Sequence, residues 1–395
     1  MQSAGKPTEG LSEALRGAYP ELEAVREASE APVYLVGGAV RDLLLGRSRA
    51  DLDLVVEGDA AALAARLGAT TAEHERFGTA KVVLDGHEVD IATARRETYP
   101  EPGALPVVEP ADSIEQDLAR RDFTINAMAL SLEDPAEPID AHGGRADLGA
   151  GQLRVLHAGS FVDDPTRALR AARYAARFGF ALEPETERLL RATDLTTVSA
   201  DRRRAELLRL AAEDTAPRGF ELLAEWGLVE LREGRAELAE RVGALLAAPP
   251  WRGFAPRDAA VLAAALGEKS ERRRAGTDWL GKAESARPAG QPWGRQETLA
   301  GAEPQRPSEA VDLAAGRDPV ELVLARALGA EWLDRYLAEW RHVGLEIGGA
   351  DLLAAGVPEG PALGRGLDAA LRAKLDGEIA GREEELATAL AAARD

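Results

Sequence analysis

One stretch, VYLVGGAVRDLLLGRSRADLDLVVEGD from Val33 to Asp59, constrains the fold of this chain more than any other. An apolar run closes on Gly37 and Gly38. Arg41 follows three residues after the second glycine, and Asp51-Leu52-Asp53 opens a second apolar run ten residues beyond that arginine. Paired glycines between a strand and a helix let the backbone approach an anion closely. The helix N-terminus adds unpaired N–H groups and a favourable dipole, and Arg41, one turn in, reaches back to a phosphate oxygen. Along a strand, residues i and i+2 share a side. Asp51 and Asp53 therefore face one way while Leu52 and Leu54 point into the core. Adjacent carboxylates repel, and a hard cation such as Mg²⁺ removes that repulsion. Asp90, in a strand whose Val89 and Ile91 point the other way, is placed to add a third carboxylate. Either signal alone is weak: Asp-X-Asp also suits a solvated edge strand, and Gly-Gly-X-X-Arg an ordinary turn. In this order they predict a phosphate turn followed by a metal site, for a nucleoside triphosphate and magnesium. No GxxxxGK[ST] or GxGxxG motif supports a P-loop or dinucleotide fold.

Around this stretch the pattern predicts a mixed head. Residues 1–30 read as a helix with a loose start, Val33–Val36 and Asp51–Val56 as strands, and Ala39–Leu45 as the first turns of a helix. Asp59–Leu67 reads as a helix capped by Asp59. Ala80–Leu84 and Glu88–Thr93 form a hairpin turning at Asp85-Gly86. Pro100, Pro102, Pro106 and Pro110 make 98–112 a loop. Ser113–Arg121 reads as a helix with a Ser113–Gln116 capping box. Beyond about Asp164 the spacing is helical to the end, and all six Trp lie beyond residue 225. The polar, Gly- and Pro-rich run 267–310 reads as a flexible connector. The expected division is an N-terminal helical extension at 1–30, a head at 31–150, neck helices at 151–215, a helical body at 216–266, the connector, and a helical tail at 311–395. No short-period repeat is present.

Composition excludes several classes. Hydrophobic residues make up 45% of 395, enough for a sizeable core. No run reaches the roughly 18–20 apolar residues of a membrane helix. The first thirty residues lack a signal-peptide core, so a cytoplasmic protein with no membrane association is expected. With no Cys there are no disulfides, zinc ribbons or thiol nucleophiles. A net charge of −20 opposes bulk nonspecific nucleic-acid binding but not a local basic groove. The basic residues are mostly Arg, whose planar fork suits phosphates, although codon composition would produce the same skew. None of His74, His87, His142, His157 and His342 forms an adjacent His-Asp pair, so no metal-dependent phosphohydrolase domain is expected.

Four blocks in order, GGAVRD, DLD, ARRDFTINAMAL at 119–130 and FVDDPTRALRAARYAARFGF at 161–180, resemble the bacterial (class II) tRNA nucleotidyltransferase and poly(A) polymerase family. The family belongs to the polymerase-beta-like nucleotidyltransferases. The resemblance implies an α+β head with a palm-like mixed sheet, then all-α neck, body and tail. It implies that Gly38 and Arg41 contact the triphosphate, beside Gly37. Asp51 and Asp53 would hold two Mg²⁺ ions, with Asp90 as the third catalytic acid. Arg121 would bind the nucleotide, with Asp122 and Asn126 in support near the ribose. Asp164, Arg167, Arg170 and Arg173 match the family's nucleotide-selecting helix, and Asp201, Arg202 and Glu206 a later structural motif. Two departures stand out. The selecting block usually opens Glu-Asp and here is Asp163-Asp164, and Asp201 stands where the family usually has Glu. The implied partners are a tRNA 3′ end, ATP and CTP, with no obligate protein partner.

Arg167, Arg170, Arg173 and Arg177 lie roughly along one helix side, and 165–177 holds no acid to neutralise them. Cytosine and adenine each present an amino donor beside a ring-nitrogen acceptor, whereas uracil and guanine present a carbonyl beside an N–H. A carboxylate and an Arg, Asp164 with Arg167, would match the first pair and leave buried groups unpaired against the second. The expected activity is CCA addition from CTP and ATP with pyrophosphate release. A-adding, CC-adding and poly(A)-polymerase activities share these motifs and stay open, as the 98–112 loop lies where relatives carry an element tied to the switch from C to A. A silent RNA-binding module and a small-molecule nucleotidyltransferase are less consistent with the complete acidic set and the long helical body.

Overall fold

The computed structural model describes residues 7–47, 51–68, 70–74, 78–267 and 299–394. The chain separates into two compact units. The first runs to Glu206 and takes in Leu222–Leu228, and the second comprises Leu207–Glu221 and most of the chain from Val229. The division thus falls inside the span 151–215 expected as one neck. Among the described residues no helix is long and apolar enough to cross a membrane.

The first unit opens with two helices, α1 (Pro7–Ala18) and α2 (Leu22–Ala28), rather than one, because Pro20 falls between them. Strand β1 (Val33–Val36) leads through Gly37 into α3 (Gly38–Leu44). Gly37 has φ +66°, which a glycine adopts without strain. Then come β2 (Leu52–Val56) and α4 (Ala60–Leu67). Asp59 caps α4 as expected, its Oδ1 accepting from Ala61 N at 2.9 Å and Ala62 N at 3.2 Å. Strands β3 (Thr70–His74), β4 (Thr79–Leu84) and β5 (His87–Thr93) follow. The β4–β5 hairpin turns at Asp85 (φ 50°) and Gly86 (φ 81°), the pair of positive φ values that a tight hairpin with right-handed twist demands. Strand β3 carries too little alternation to be read in advance.

The Pro-rich segment differs from the expected loop. Strands β6 (Arg95–Thr98) and β7 (Val107–Pro110) pair antiparallel, with Arg95 opposite Pro110. Proline is tolerated at the edge of a two-stranded ribbon, and Val107-Val108 favour extended backbone. Ala111 N donates to Ala94 O at 2.8 Å, tying the ribbon to the sheet. Helix α5 (Ile114–Ala119) begins at Ser113, but the Ser113 side chain makes no cap bond. Glu57 Oε1 accepts from Ile114 N at 2.6 Å instead; an ionised carboxylate is the stronger acceptor. Gln116 Oε1 accepts from Asp112 N at 3.3 Å.

A 3₁₀ turn at Thr124–Asn126 and β8 (Ala129–Ser131) complete a sheet of order β3-β4-β5-β2-β1-β8. Only β2–β5 are parallel. Their register, Asp53 beside Asp90 and Val55 beside Ala92, extends into β4 as Asp90 beside Lys81 and Ala92 beside Thr79. Because strand residues alternate, Lys81, Asp90 and Asp53 form one row on one face, with Thr79, Ala92 and Val55 the next. Leu52, Leu54 and Ile91 point to the other face and are at most 2% exposed; α3 and α4 pack on the sheet. Beyond α6 (Gly144–Ala150) and the short α7 (Ser160–Asp163) stands α8 (Thr166–Phe178).

The second unit is helical. Arg235–Ala247 packs on Arg257–Leu266, and Pro361–Leu375 on Arg382–Arg394 around Leu352, Ala370 and Ala389. Trp251, 1% exposed, donates through Nε1 to Asp334 Oδ1 at 2.7 Å, so its polar edge is satisfied in the core. Most of the expected connector, 268–298, lies outside the described residues. Its last part is ordered: a helix starts at Pro307, with Ser308 buried and bonded to Asp376. Proline preorganises a first helical turn, which composition alone obscures.

Gly144 packs so closely that a Cβ there would overlap the Thr124 carbonyl oxygen. Gly144→Ala should cost about 1–3 kcal/mol in urea-unfolding midpoint, with weakened packing of the 122–126 turn.

Candidate active site

Two cavities meet at Asp53. The first, about 350 Å³, includes Gly37, Gly38, Arg41, Tyr99, Asp122, Asp164, Arg167, Arg170 and Arg173 in its lining. The second, about 380 Å³, lies toward Asp90 and Lys81. Asp53, Arg120 and Arg121 line both.

The glycine pair is pressed against arginines. A Cβ on Gly37 would lie 2.6 Å from Arg121 Nη1, and one on Gly38 would lie 3.4 Å from Arg41 Nη2. The strand–turn–helix backbone and two guanidinium groups therefore converge on one spot. Arg121 is steadied by Asp117, whose Oδ2 accepts from Arg121 Nη2 at 3.0 Å and whose Oδ1 accepts from Arg120 Nε at 2.9 Å. Burial works to raise the Asp117 carboxyl, but Arg120 and Arg121 overcome it and hold it below the usual range. Among the described residues Arg121 Nε is buried with no partner.

The acids fit a hard cation. The charges of Asp90 and Asp51 bear on Asp53, and burial, more than either, raises its carboxyl, with Arg121 opposing. Solvent reaches Asp53 through the cavities while protein surrounds its other sides. An oxygen-only donor set whose members repel suits Mg²⁺. Among the described residues no three metal-ligating side chains stand converged; Lys81 Nζ lies 3.3 Å from Asp90 and engages that carboxylate.

The remaining candidates form a frame. Asp122, 6% exposed, accepts from Phe123 N (2.8 Å), Asn126 Nδ2 (2.9 Å) and Arg170 Nε (2.7 Å). Burial pushes its carboxyl up, but Arg170 and these donors lower it to about 2. Asn126 Oδ1 in turn accepts from Arg41 Nη1 at 2.5 Å. Arg41 also donates to Asp42 and stands 4.5 Å over the Phe178 ring. Arg173 stacks 4.7 Å over Tyr174. Arg167 donates to Ser160 Oγ at 2.6 Å and Arg120 O at 2.8 Å. Asp164 is held through Oδ1 alone, by Thr166 N, Thr166 Oγ1 and Arg202 Nη2. The structure thus gathers the Gly37-Gly38 turn, Arg41, Asp53, Asp90, Arg121, Asp122, Asn126, Asp164, Arg167, Arg170 and Arg173 around the two cavities; Asp51, just before β2 and exposed, and Asp201, Arg202 and Glu206 line neither.

These residues coincide with known families. Residues 33–154 match the poly A polymerase head domain, and 179–231 match a probable RNA and SrmB-binding site of polymerase A. A CC-adding tRNA nucleotidyltransferase of Deinococcus radiodurans is 34% identical over 91% of this chain and 89% of its own length. The chain belongs to the bacterial tRNA nucleotidyltransferase and poly(A) polymerase family. An A-adding tRNA nucleotidyltransferase of Aquifex aeolicus is 52% identical over 40% of this chain; the chain spans 20% of that relative's length. The structure of a Thermotoga maritima CCA-adding enzyme complexed with tRNA is 30% identical, with TM-score 0.70 over 96% of this chain and 98% of that one.

Sequence reasoning missed several residues within this nucleotidyltransferase-family head. Tyr99, whose hydroxyl burial pushes up to about 12, lines the first cavity and donates to Glu97 Oε2 at 3.1 Å. Arg95, Arg120 and Asp117 were also overlooked. Only Arg120, beside Arg121, carried a local signal, since Asp117 reads as an ordinary helix acid.

A carboxyl held low stabilises the native state above its unfolded value near ~3.9, and this is lost as pH falls through about 2 for Asp122. Urea midpoints should therefore fall between pH ~4 and ~2, and less so in Asp122→Asn. At neutral pH that variant should lose about 3 kcal/mol, because Arg170 loses its closest anion and keeps Glu206 only at 3.7 Å.

Proposed function

We propose that this chain adds C, C and A to tRNA 3′ ends from CTP and ATP, without a nucleic-acid template, releasing pyrophosphate. The observation that carries this reading is the convergence of the Gly37-Gly38 backbone, Arg121 and Asp53 on one cavity that also holds Asp164 and Arg167. Phosphate, metal and base sites are then contiguous, as transfer from a nucleoside triphosphate requires.

The backbone at Gly37 and Gly38, Arg121 and the Nη2 of Arg41 bind the triphosphate. Asp164 and Arg167, each held by other side chains, face the base. Arg170 and Arg173 position that helix, Arg170 through Asp122 and Arg173 over Tyr174. Asp51 and Asp53 would hold Mg²⁺, which would supply charge neutralisation at the transferred phosphate. Asp90 orients the acceptor hydroxyl. That hydroxyl oxygen bonds to the α-phosphorus, the bond to the bridging oxygen breaks, pyrophosphate leaves with the electron pair, and the hydroxyl proton passes to solvent.

A second reading is addition of A alone. It is favoured by the 52% identity to an A-adding enzyme, confined to 164 residues. The deciding experiment offers tRNA transcripts ending before CCA, after CC, or complete, with CTP, ATP or both. Products C, C and A on the shortest transcript support the first reading, and A on the CC end alone supports the second.

Asp53→Asn should lower incorporation at least about a thousandfold. Its melting temperature should be unchanged or higher, since a carboxylate disfavoured by burial and like charge is removed; retained activity refutes the metal assignment. Asp164→Ala should relax discrimination against UTP or GTP about ten- to hundredfold, read from competing incorporation.

A further inference from the structure

We propose that Phe178 is a positioning residue for nucleotide binding: its ring seats the Arg41 guanidinium against the Gly37-Gly38 turn and so sets how tightly the triphosphate is held. The inference deepens the reading that Arg41 binds the triphosphate and rests on it. Three observations carry it. First, hydrogen bonds leave Arg41 partly free. Its Nε donates to Asp42 Oδ1 at 2.9 Å and its Nη1 to Asn126 Oδ1 at 2.5 Å. These bonds fix the fork within its own plane, but the tilt of that plane needs a contact on its face. The Phe178 centroid lies 4.5 Å from Arg41 Cζ, and the Tyr174 centroid 5.5 Å. A ring face attracts a cation without taking an N–H, and more strongly where water is excluded. Arg41 is 4% exposed. Its Nη2, the nitrogen nearest Gly38, is thereby kept for a phosphate oxygen.

Second, the ring is itself held. Phe178 is the last residue of α8 and half-buried. It stacks on Tyr174 at 6.1 Å and packs on Phe180 at 5.5 Å between centroids. Gly179, at φ +70°, ends the helix there, its N–H donating to Ala175 O at 2.9 Å. A ring braced by two others passes its position on to the cation that lies on it.

Third, the ring stands where positive charge collects. The Cζ atoms of Arg47 and Arg177 lie 4.6 and 5.5 Å from the same centroid, and Arg177 lines the cavity with Arg41. Three guanidinium groups around one ring repel one another, and a bound polyanion relieves that repulsion. Helix α8 also carries Arg167 near its start, roughly 16 Å from Phe178 at about 1.5 Å per residue. One helix then sets the base reader at one end and the seat of Arg41 at the other, so the phosphate grip can be weakened without touching the base reader.

The test uses the full chain, a tRNA transcript ending in CC, and ATP. Phe178→Leu keeps an apolar side chain and removes the ring. It should raise the KM for ATP roughly five- to thirtyfold, the range of a cation–π contact. The kcat and the KM for tRNA should stay within about twofold, since the lost contact holds ground state and transition state alike. Inhibition by inorganic pyrophosphate should weaken by a similar factor. Phe178→Tyr, which restores the face, should stay within about twofold of the unaltered chain in every readout. An unchanged KM for ATP in Phe178→Leu overturns the proposal. So does an equal loss in Phe178→Leu and Phe178→Tyr, or a raised KM for ATP with pyrophosphate inhibition intact, which moves the ring's effect to the base. Should Phe178→Leu melt below the assay temperature, Phe178→Met, unbranched and equally without a ring, takes its place. Failure of the unaltered chain to extend any tRNA would sink the functional reading itself, whereas each outcome above leaves that reading standing.

Discussion

The site depends on one hydrogen-bonded chain through the interior of the head. Asp42 accepts from Arg41, Arg41 donates to Asn126, Asn126 donates to Asp122, and Asp122 accepts from Arg170, which donates on to Tyr174. Arg41 and Asn126 are 85 residues apart, and Asp122 and Arg170 are 48 apart. Three blocks far apart in sequence are thereby fixed to one another. Removing a middle member would leave a desolvated charge or amide on each side, so the network is cooperative in cost. Phe178 under Arg41 and Tyr174 under Arg173 add cation–π contacts, which bind without consuming N–H donors.

That arrangement answers an electrostatic difficulty. A chain of net charge −20 must gather arginines densely enough to meet a triphosphate, and unneutralised guanidinium groups would repel. Asp117 and Asp122 are both buried; Asp117 takes Arg120 and Arg121 of this cluster, and Asp122 takes Arg170. They neutralise the rear of the arginine group while its front lines the cavity. The acids at Asp51, Asp53 and Asp90 are left without such compensation, apart from Lys81 beside Asp90 and the pull of Arg121 on Asp53. A frame satisfied internally beside an edge of acids left in tension is the pattern that, on the proposed reading, gives up stability for chemistry.

Much of this was legible locally. The β1–α3 turn, the i, i+2 acids, the Asp59 cap and the Asp85-Gly86 hairpin follow from spacing and turn chemistry. The parallel pairing of β2 with β5 does not, yet it is what sets Asp53 beside Asp90. The Pro-rich ribbon was hidden because proline is a breaker inside a sheet but not at an edge. Ser113 misled for a similar reason: its rival, Glu57, lies 57 residues from Ile114, beyond any capping motif. The helical arginine stripe was visible, but not its division of labour. Arg170 turns to Asp122 and Arg173 stacks on Tyr174, because their partners come from other blocks or from aromatic rings on the same helix.

On the proposed reading, base choice rests on rigidity. Asp164 is engaged three times through Oδ1, which leaves Oδ2 to accept from an exocyclic amine. Arg167 is pinned by a serine hydroxyl and a backbone carbonyl, so neither group can rotate to suit a base of reversed polarity. Rejection of uracil or guanine then comes from donors facing donors and acceptors facing acceptors, at groups held mostly out of water. The shortened acid at 163 leaves this intact. Asp163 lies 3.8 Å from His157 and takes no part in holding Asp164, so one methylene fewer there shifts neither the acceptor nor the donor that reads the base.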